Sequence, residues 1–255
     1  MHVGHLLAGA EGPRAAAMVP RYPALIVEIR ALLVDFDGTV CPNDVSEELL
    51  DEFGDGDWRA DDGAVDRGEL GLREAAERQA EMLRASPEDM LAFALEKFSL
   101  DPTFHGFAGW ADREGLPLTV VSDGFGFYVR PMLEAAGLGR LDVRTNGYLR
   151  GRLSHPNGHP VCVGCGTCKM LAAAEHRDRY GPVAFVGEGQ SDRYGALYSD
   201  LVFAKKDLVR ICLEDGVPYR EWETFDDVRS ALQSTQGLPG PAGPARCPGW
   251  RELNG

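Results

Sequence analysis

Four short, almost wholly apolar runs punctuate the chain: Ala31–Val34, Leu118–Ser122, Val183–Gly187 and Leu201–Ala204. Each has the length and composition of a strand buried on both faces. The segments between them carry helical periodicity instead. The stretch from about Asp44 to about Asp101 is polar and largely helical, with one helix over Gly71–Ala85 and another opened by Ser86-Pro-Glu-Asp89. There Ser is a natural N-cap, Pro takes the first helical position, and acid fills the first turn. Further helices are predicted over Phe104–Glu114, Gly126–Ala136 and Lys169–His176, with a last one framed by Thr224 and Asp227 and running to about Leu232. Leu141–Leu149 reads as extended structure with a turn at Asn146-Gly147, and Gly151–Gly166 as an irregular loop rich in Gly, His and Cys. Strands alternating with helices predict an α/β fold with a doubly wound, mainly parallel sheet.

The organisation that follows is one core domain, residues 30–43 and 102–235, interrupted by a helical insert over residues 44–101. Residues 1–29 carry little periodicity and read as an N-terminal extension. Residues 236–255, containing Gly-Leu-Pro-Gly-Pro-Ala-Gly-Pro, lack a core-forming pattern and read as a flexible tail.

Composition narrows the function classes. At 255 residues and 44% hydrophobic content the chain can bury a sizeable core. A formal net charge of -14 argues against a general binder of nucleic acid or anionic membranes, since both require basic surface. An anionic small ligand must therefore meet a local positive site. No apolar run approaches the roughly 20 residues that span a bilayer, and Glu11, Pro13 and Arg14 interrupt the start before a signal-type core develops. A cytoplasmic location is the expectation, and the six cysteines then read as thiols or metal ligands rather than a disulfide framework.

Candidate chemistry collects at strand ends. Ala31–Val34 delivers Asp35 and Asp37 to the point where Gly38 turns the chain away, and ligands of open α/β sheets bind at such carboxyl ends. An isolated Asp-x-Asp-Gly would be an Asx turn. Here Ser122-Asp123-Gly124 ends the second strand, Lys169 opens a helix, and Glu188 to Asp192 follow the third strand. Cys162, Cys165 and Cys168, with His155 and His159 nearby, either hold Zn²⁺ or pack a loop as reduced thiols.

The ordered set Asp35-Phe-Asp-Gly-Thr39, Ser122, Lys169 and Gly187-Glu-Gly-Gln-Ser-Asp192 resembles the motifs of the haloacid dehalogenase superfamily of phosphatases, over roughly residues 30–232. The helical insert after the first motif resembles the cap of its subfamily IB. Asn43-Asp44, Ser122-Asp-Gly-Phe-Gly-Phe-Tyr-Val129, Cys165-Gly-Thr-Cys-Lys169 and Leu201-Val-Phe-Ala-Lys205 are similar to the branch with methionine-salvage diketo-methylthio-phosphopentane phosphatase and phosphoserine phosphatase.

The resemblance implies a Rossmann-like sheet with a small helical cap, and a Mg²⁺-dependent phosphomonoesterase acting on a small phosphorylated metabolite. Asp35 would be the nucleophile that forms an aspartyl-phosphate, and Asp37 the acid and then the base. Lys169 would neutralise charge. Ser122 and the backbone N–H groups of Asp123 and Gly124 would hold the phosphoryl oxygens, and Asp44 would face the substrate or merely cap a helix. Asp35, Asp37 through its carbonyl, Glu188 and Asp192 would surround Mg²⁺, with Asp192 either ligating, orienting Lys169 or capping the helix. The superfamily has Asp where this chain has Glu188. Two other outcomes therefore stay open: another superfamily reaction such as phosphotransfer, or a catalytically weak metabolite-binding protein.

Overall fold

The computed structural model describes residues 28–234, so the expected C-terminal tail and nearly all of the N-terminal extension lie outside the described residues. In chain order the elements begin with β1 (Ala31–Val34), α1 (Val45–Phe53), α2 (Trp58–Asp66), α3 (Leu72–Met82), α4 (Pro87–Lys97), α5 (Phe104–Arg113), β2 (Leu118–Phe125) and α6 (Gly126–Ala135). They continue through β3 (Asp142–Leu149), β4 (Arg152–Ser154), α7 (Lys169–Tyr180), β5 (Val183–Gly187), α8 (Arg193–Leu197), β6 (Leu201–Ala204), α9 (Asp207–Asp215), β7 (Arg220–Glu221) and α10 (Phe225–Gln233). Among the described residues no helix is long and apolar enough to cross a membrane.

The sheet has the order β4-β3-β2-β1-β5-β6-β7 and is parallel except for the β3–β4 hairpin, which is the doubly wound α/β arrangement expected. Along β1 the pleat sends Leu32 and Val34 into the apolar cluster on one face and Ala31 and Leu33 into the cluster on the other, all fully buried. That is why the run reads as continuously apolar. β1 pairs on one side with β2, Leu32 opposite Leu118, and on the other with β5, Ala31 opposite Val183. The chain order reverses across β1, so the crevice outside the carboxyl ends of β2, β1 and β5 lies at the switch point where such sheets bind ligands.

Between β1 and β2 the chain forms α1–α4. Ser86 caps α4 as its sequence predicts, its Oγ accepting from the Asp89 N–H at 3.1 Å. Leu49, Leu50, Trp58, Ala80, Met90 and Ala94 bury into the same cluster as one face of the sheet, so the insert is seated on the core by apolar contact.

One local expectation is corrected. Asn146-Gly147 is no turn: β3 runs straight through it, and the hairpin turns at Arg150 and Gly151, both in the left-handed region with φ of 51° and 76°. The Asn146 amide is occupied elsewhere, donating to the Asp123 carbonyl at 2.6 Å across an irregularity in the β2–β3 register between Val121 and Phe125. That bulge carries Ser122, Asp123 and Gly124, and Asn146 pins it.

Candidate active site

The loop after β1 is built by its own backbone. Asp35 N–H still bonds to Val186 of β5 at 2.9 Å, so the first carboxylate leaves the sheet in register. Gly38 then adopts φ 72°, and its N–H bonds to the Asn43 carbonyl at 3.0 Å, closing the turn. The φ favours glycine, and a Cβ at residue 38 would lie 1.8 Å from Glu188 Oε1, so a side chain there would displace the Glu188 carboxylate. Asp44 caps α1, its carboxylate accepting from the Glu47 N–H at 3.0 Å, and also lines the central cavity.

Asp35 is only 5% exposed, and its Oδ1 accepts from Lys169 Nζ at 2.7 Å. Lys169 is the first residue of α7 and spends its three donors on Asp35, on Asp192 Oδ1 at 2.6 Å and on Ser191 Oγ at 3.0 Å. Burial alone would strip its proton. Asp192, Asp35 and Asp123 more than reverse that, and the ammonium keeps its charge. Burial and the neighbouring Asp192 push Asp35 toward its neutral form, an effect that Lys169 offsets only in part.

Asp192 is fully buried and completely engaged: Oδ1 takes Lys169, while Oδ2 accepts from the N–H groups of Glu188 at 2.8 Å and Gly189 at 3.0 Å. Two of its three expected roles are visible: it orients Lys169, and by accepting from the Gly189 N–H it caps the helical turn after β5.

The second carboxylate is held apart from the first. Asp37 Oδ1 accepts from the Val45 N–H at 3.0 Å, and Oδ2 from Tyr128 Oη at 2.8 Å and Ser122 Oγ at 3.2 Å. Burial, with Asp44 adding to it, raises its pKa to about 8 against the pull of these hydrogen bonds. Asp35 is thus tied to the ammonium of Lys169 while Asp37 is tied to hydroxyl and backbone donors, so the two buried carboxylates differ in their partners. Ser122 is fully buried, and its Oγ also accepts from the Gly124 N–H at 2.8 Å. Asp123 fastens the loop before α7, Oδ1 accepting from the Thr167 N–H at 2.6 Å. At Gly124 a Cβ would come within 2.0 Å of Tyr128 Oη and 2.4 Å of Asp37 Oδ2, so a side chain there would break the acid's setting.

These groups open into a cavity of about 370 Å³ that contains Asp35, Asp37, Ser122, Asp123 and Glu188 on the sheet side. The insert supplies the opposite wall, including Asp44, Glu47, Trp58, Asp62 and Gln79. Among the described residues no lysine, arginine or histidine lines it. Arg59, Arg67, Arg78 and Arg84 pair with acids on the insert's exposed surface, as a solvated face should.

The donor set has the chemistry of a hard divalent-cation site without its geometry. Among the described residues, Asp35, Asp123 and Asp192 stand around the one buried ammonium, and Glu188 folds back over the Gly38 loop. Oxygen ligands and an excess of buried negative charge are what Mg²⁺ selects, and it usually retains several waters. Among the described residues no three His, Cys, Asp or Glu side chains stand in ligating geometry; the Glu188 carboxylate pairs with Lys206 at 2.5 Å.

The same finding bears on the cysteine loop. Cys162, Cys165 and Cys168 line a small enclosed space with His159, without forming a ligating group. His159 Nδ1 accepts from the N–H groups of Val161 and Cys162, while His155 bridges Asn146 and Glu77. Cys41 is a buried filler whose thiol is pushed up to about 12 by burial.

The sequence reading missed Tyr128 and Ser46, whose hydroxyls lie 2.7 Å apart, and Lys206. Only the Tyr128 hydroxyl, polar in an otherwise apolar stretch after Ser122-Asp-Gly, could have signalled it.

Comparison with known proteins gives concordant results. A family model described as haloacid dehalogenase-like hydrolase matches residues 32–196. The bifunctional enzyme MtnB/MtnX of Bacillus licheniformis is 31% identical over 211 residues, covering 80% of this chain; the chain spans about half of that longer protein, 49%. A protein of Geobacillus thermodenitrificans named 2-hydroxy-3-keto-5-methylthiopentenyl-1-phosphate phosphatase is 30% identical, over 79% of this chain and 94% of its own. Among solved structures, a substrate-bound phosphoserine phosphatase aligns with TM-score 0.62 at 18% identity, covering 80% of this chain and 98% of that one, a likeness of fold.

Proposed function

Since the chain belongs to the haloacid dehalogenase-like hydrolase family, we propose that it hydrolyses the phosphomonoester of a small metabolite through a phosphorylated Asp35. The observation that carries this reading is the difference in partners between the two carboxylates, Asp35 on Lys169 at 2.7 Å and Asp37 on the hydroxyls of Tyr128 at 2.8 Å and Ser122 at 3.2 Å.

In this mechanism Asp35 attacks phosphorus, and Asp37 gives its proton to the departing alkoxide. Once the alcohol has left, Asp37 is ionised and takes a proton from the water that cleaves the acyl-phosphate. Lys169 holds Asp35 in line and offsets the charge of the phosphoryl oxygens, which the Ser122 hydroxyl and the Asp123 N–H receive, while the Gly124 N–H orients Ser122 Oγ at 2.8 Å. Asp35, the Asp37 carbonyl and Glu188 would hold Mg²⁺, which supplies charge neutralisation between nucleophile and phosphate. Asp192 serves as a positioning group rather than a ligand. The insert, residues 44–101, acts as a cap that closes over the alcohol portion and excludes water.

Cavity chemistry supports a narrower substrate class. The wall supplied by the insert is acidic, and burial together with Asp44 and Asp62 pushes Glu47 up to about 7. A leaving group with its own carboxylate would be repelled there, and among the described residues no basic side chain lines the cavity to receive it. A carboxylate-free alcohol, such as the keto-methylthio chain in the names of the relatives, suits the wall better.

Hydrolysis of p-nitrophenyl phosphate with and without Mg²⁺, by the native protein and Asp35→Asn, tests the reading. Activity that needs both is expected; activity that survives in Asp35→Asn overturns it. The ion pair of Glu188 with Lys206 favours one second reading, a metabolite-binding protein with weak metal affinity. Activity that appears only in Glu188→Asp would support that instead.

A further inference from the structure

Tyr128 sits four residues beyond Gly124 on α6, is fully buried, and presents its hydroxyl to Asp37 rather than to solvent. Its ring is fixed among Phe36, Phe125 and Phe127, with centroids 6.1, 6.1 and 5.5 Å away. A tyrosine in such an apolar setting must satisfy its hydroxyl, and this one does so with two partners, Asp37 Oδ2 at 2.8 Å and Ser46 Oγ at 2.7 Å. Ser46 belongs to α1, the first helix of the insert, and lines the cavity. The hydroxyl thus joins three elements: the loop after β1, the helix after β2 and the helix that opens the insert.

The accounting of lone pairs on Asp37 gives this arrangement a consequence. Oδ2 accepts from both Tyr128 and Ser122, which fills its two acceptor positions. Oδ1 accepts only from the Val45 N–H, so one position remains there. We propose that Tyr128 is the positioning residue of the acid: by occupying Oδ2 it turns Oδ1 and the transferable proton toward the leaving oxygen. The proposal rests on the phosphatase reading above. When phosphate enters, Ser122 turns its hydroxyl from Asp37 to a phosphoryl oxygen, and Tyr128 becomes the side-chain donor that still holds Oδ2. Ser46 fixes the direction of the Tyr128 hydroxyl, so the seating of α1 and the aim of the acid are linked. Tyr128 touches neither phosphorus nor the alcohol, and its effect passes through Asp37.

A residue that aims an acid matters in proportion to how badly the leaving group needs a proton. Nitrophenolate departs without one, whereas phenolate and alkoxides depart poorly as anions. The test is therefore kcat/KM, in the presence of Mg²⁺, for a series of aryl phosphates from p-nitrophenyl to phenyl, comparing native protein, Tyr128→Phe and Asp35→Asn. Phenylalanine keeps the ring and its packing and removes only the hydroxyl. Tyr128→Phe is expected to lose less than about threefold on p-nitrophenyl phosphate and about tenfold or more on phenyl phosphate, with the loss in kcat and KM little changed.

Equal losses across the series, as a merely structural role would give, or no loss at all, overturn the proposal. Should Tyr128→Phe fail to fold, Ser46→Ala is read the same way, with an expected change of about threefold in the ratio between the two substrates; an unchanged ratio overturns it. An inactive Asp35→Asn beside an unaltered Tyr128→Phe series removes this inference and leaves the phosphatase reading standing. An active Asp35→Asn, or a native protein inert toward every aryl phosphate, removes both.

Discussion

Lys169 and Asp192 form an ion pair at 2.6 Å with both side chains essentially inaccessible, and the same ammonium reaches Asp35 at 2.7 Å. Two buried carboxylates thus depend on one positive charge. Deleting one partner of such a pair costs far more than the pair contributes, because the remaining charge keeps its desolvation penalty. Lys169→Met is expected to destabilise the fold by about 3–5 kcal/mol and to abolish turnover. Urea denaturation followed by tryptophan fluorescence, with a phosphate-release assay, checks both; a variant of native stability would show that the carboxylates neutralise themselves at little cost.

Asp37 offers a prediction on pH. Its folded pKa of about 8 lies above the ~3.9 of an unfolded Asp, so the folded state holds a proton that the unfolded state releases. Its contribution to stability is present below about pH 4 and is lost as pH rises toward 8. Asp37→Asn removes that linkage. The variant is expected to be inactive yet more stable than native protein, with the gain growing between pH 4 and 8 and levelling off above. Thermal unfolding across that range checks it, and a gain that shrinks with rising pH would contradict the assignment.

The loop after β1 is legible in the sequence because its residues announce themselves consecutively. Asp35, Asp37 and Gly38 follow an apolar run that has only one stable place in a parallel sheet, its centre, and the strand end then fixes where the carboxylates fall. Ser122, Lys169 and Asp192 follow from the same logic at neighbouring termini. Tyr128 and Ser46 were illegible for a physical reason: 82 residues separate them, and their meeting depends on how α1 docks against α6, which periodicity does not encode. Asn146-Gly147 misled because turn chemistry is local, whereas the Asn146 amide is committed to the backbone of Asp123 on the adjacent strand. Glu188 lines the same cavity as Asp35 and Asp37, but its pairing with Lys206 depends on a residue whose φ of 48° no local pattern foretells.

Gly38 couples backbone conformation to the proposed metal site. Its φ of 72° is costly for an L residue, and an added Cβ would lie 1.8 Å from Glu188 Oε1. Gly38→Ala is expected to cost about 1–2 kcal/mol of stability and to displace the Glu188 carboxylate from the loop. Loss of one of few protein ligands should weaken Mg²⁺ binding by about tenfold or more. Calorimetric titration of Mg²⁺ into native and variant protein measures this directly, without turnover. Equal affinities would mean that Glu188 takes no part in holding the ion.

The acidic wall of the cavity predicts discrimination among substrates. Asp62 lines it, and its carboxylate accepts from Gln79 Nε2 at 2.7 Å while burial raises its pKa. Like charges brought together in a partly desolvated cavity repel by more than the same charges in water, so an alcohol bearing a carboxylate should bind poorly whatever its size. Across a panel assayed for inorganic phosphate, phosphoserine is expected to be hydrolysed at least about tenfold less efficiently than a carboxylate-free phosphomonoester of similar length, chiefly through KM. Asp62→Asn should narrow that gap by relieving one charge, while leaving kcat for the neutral substrate within about twofold. Phosphoserine as the preferred substrate of the native protein would refute the role given to this wall, because among the described residues no lysine or arginine lines the cavity to receive its carboxylate.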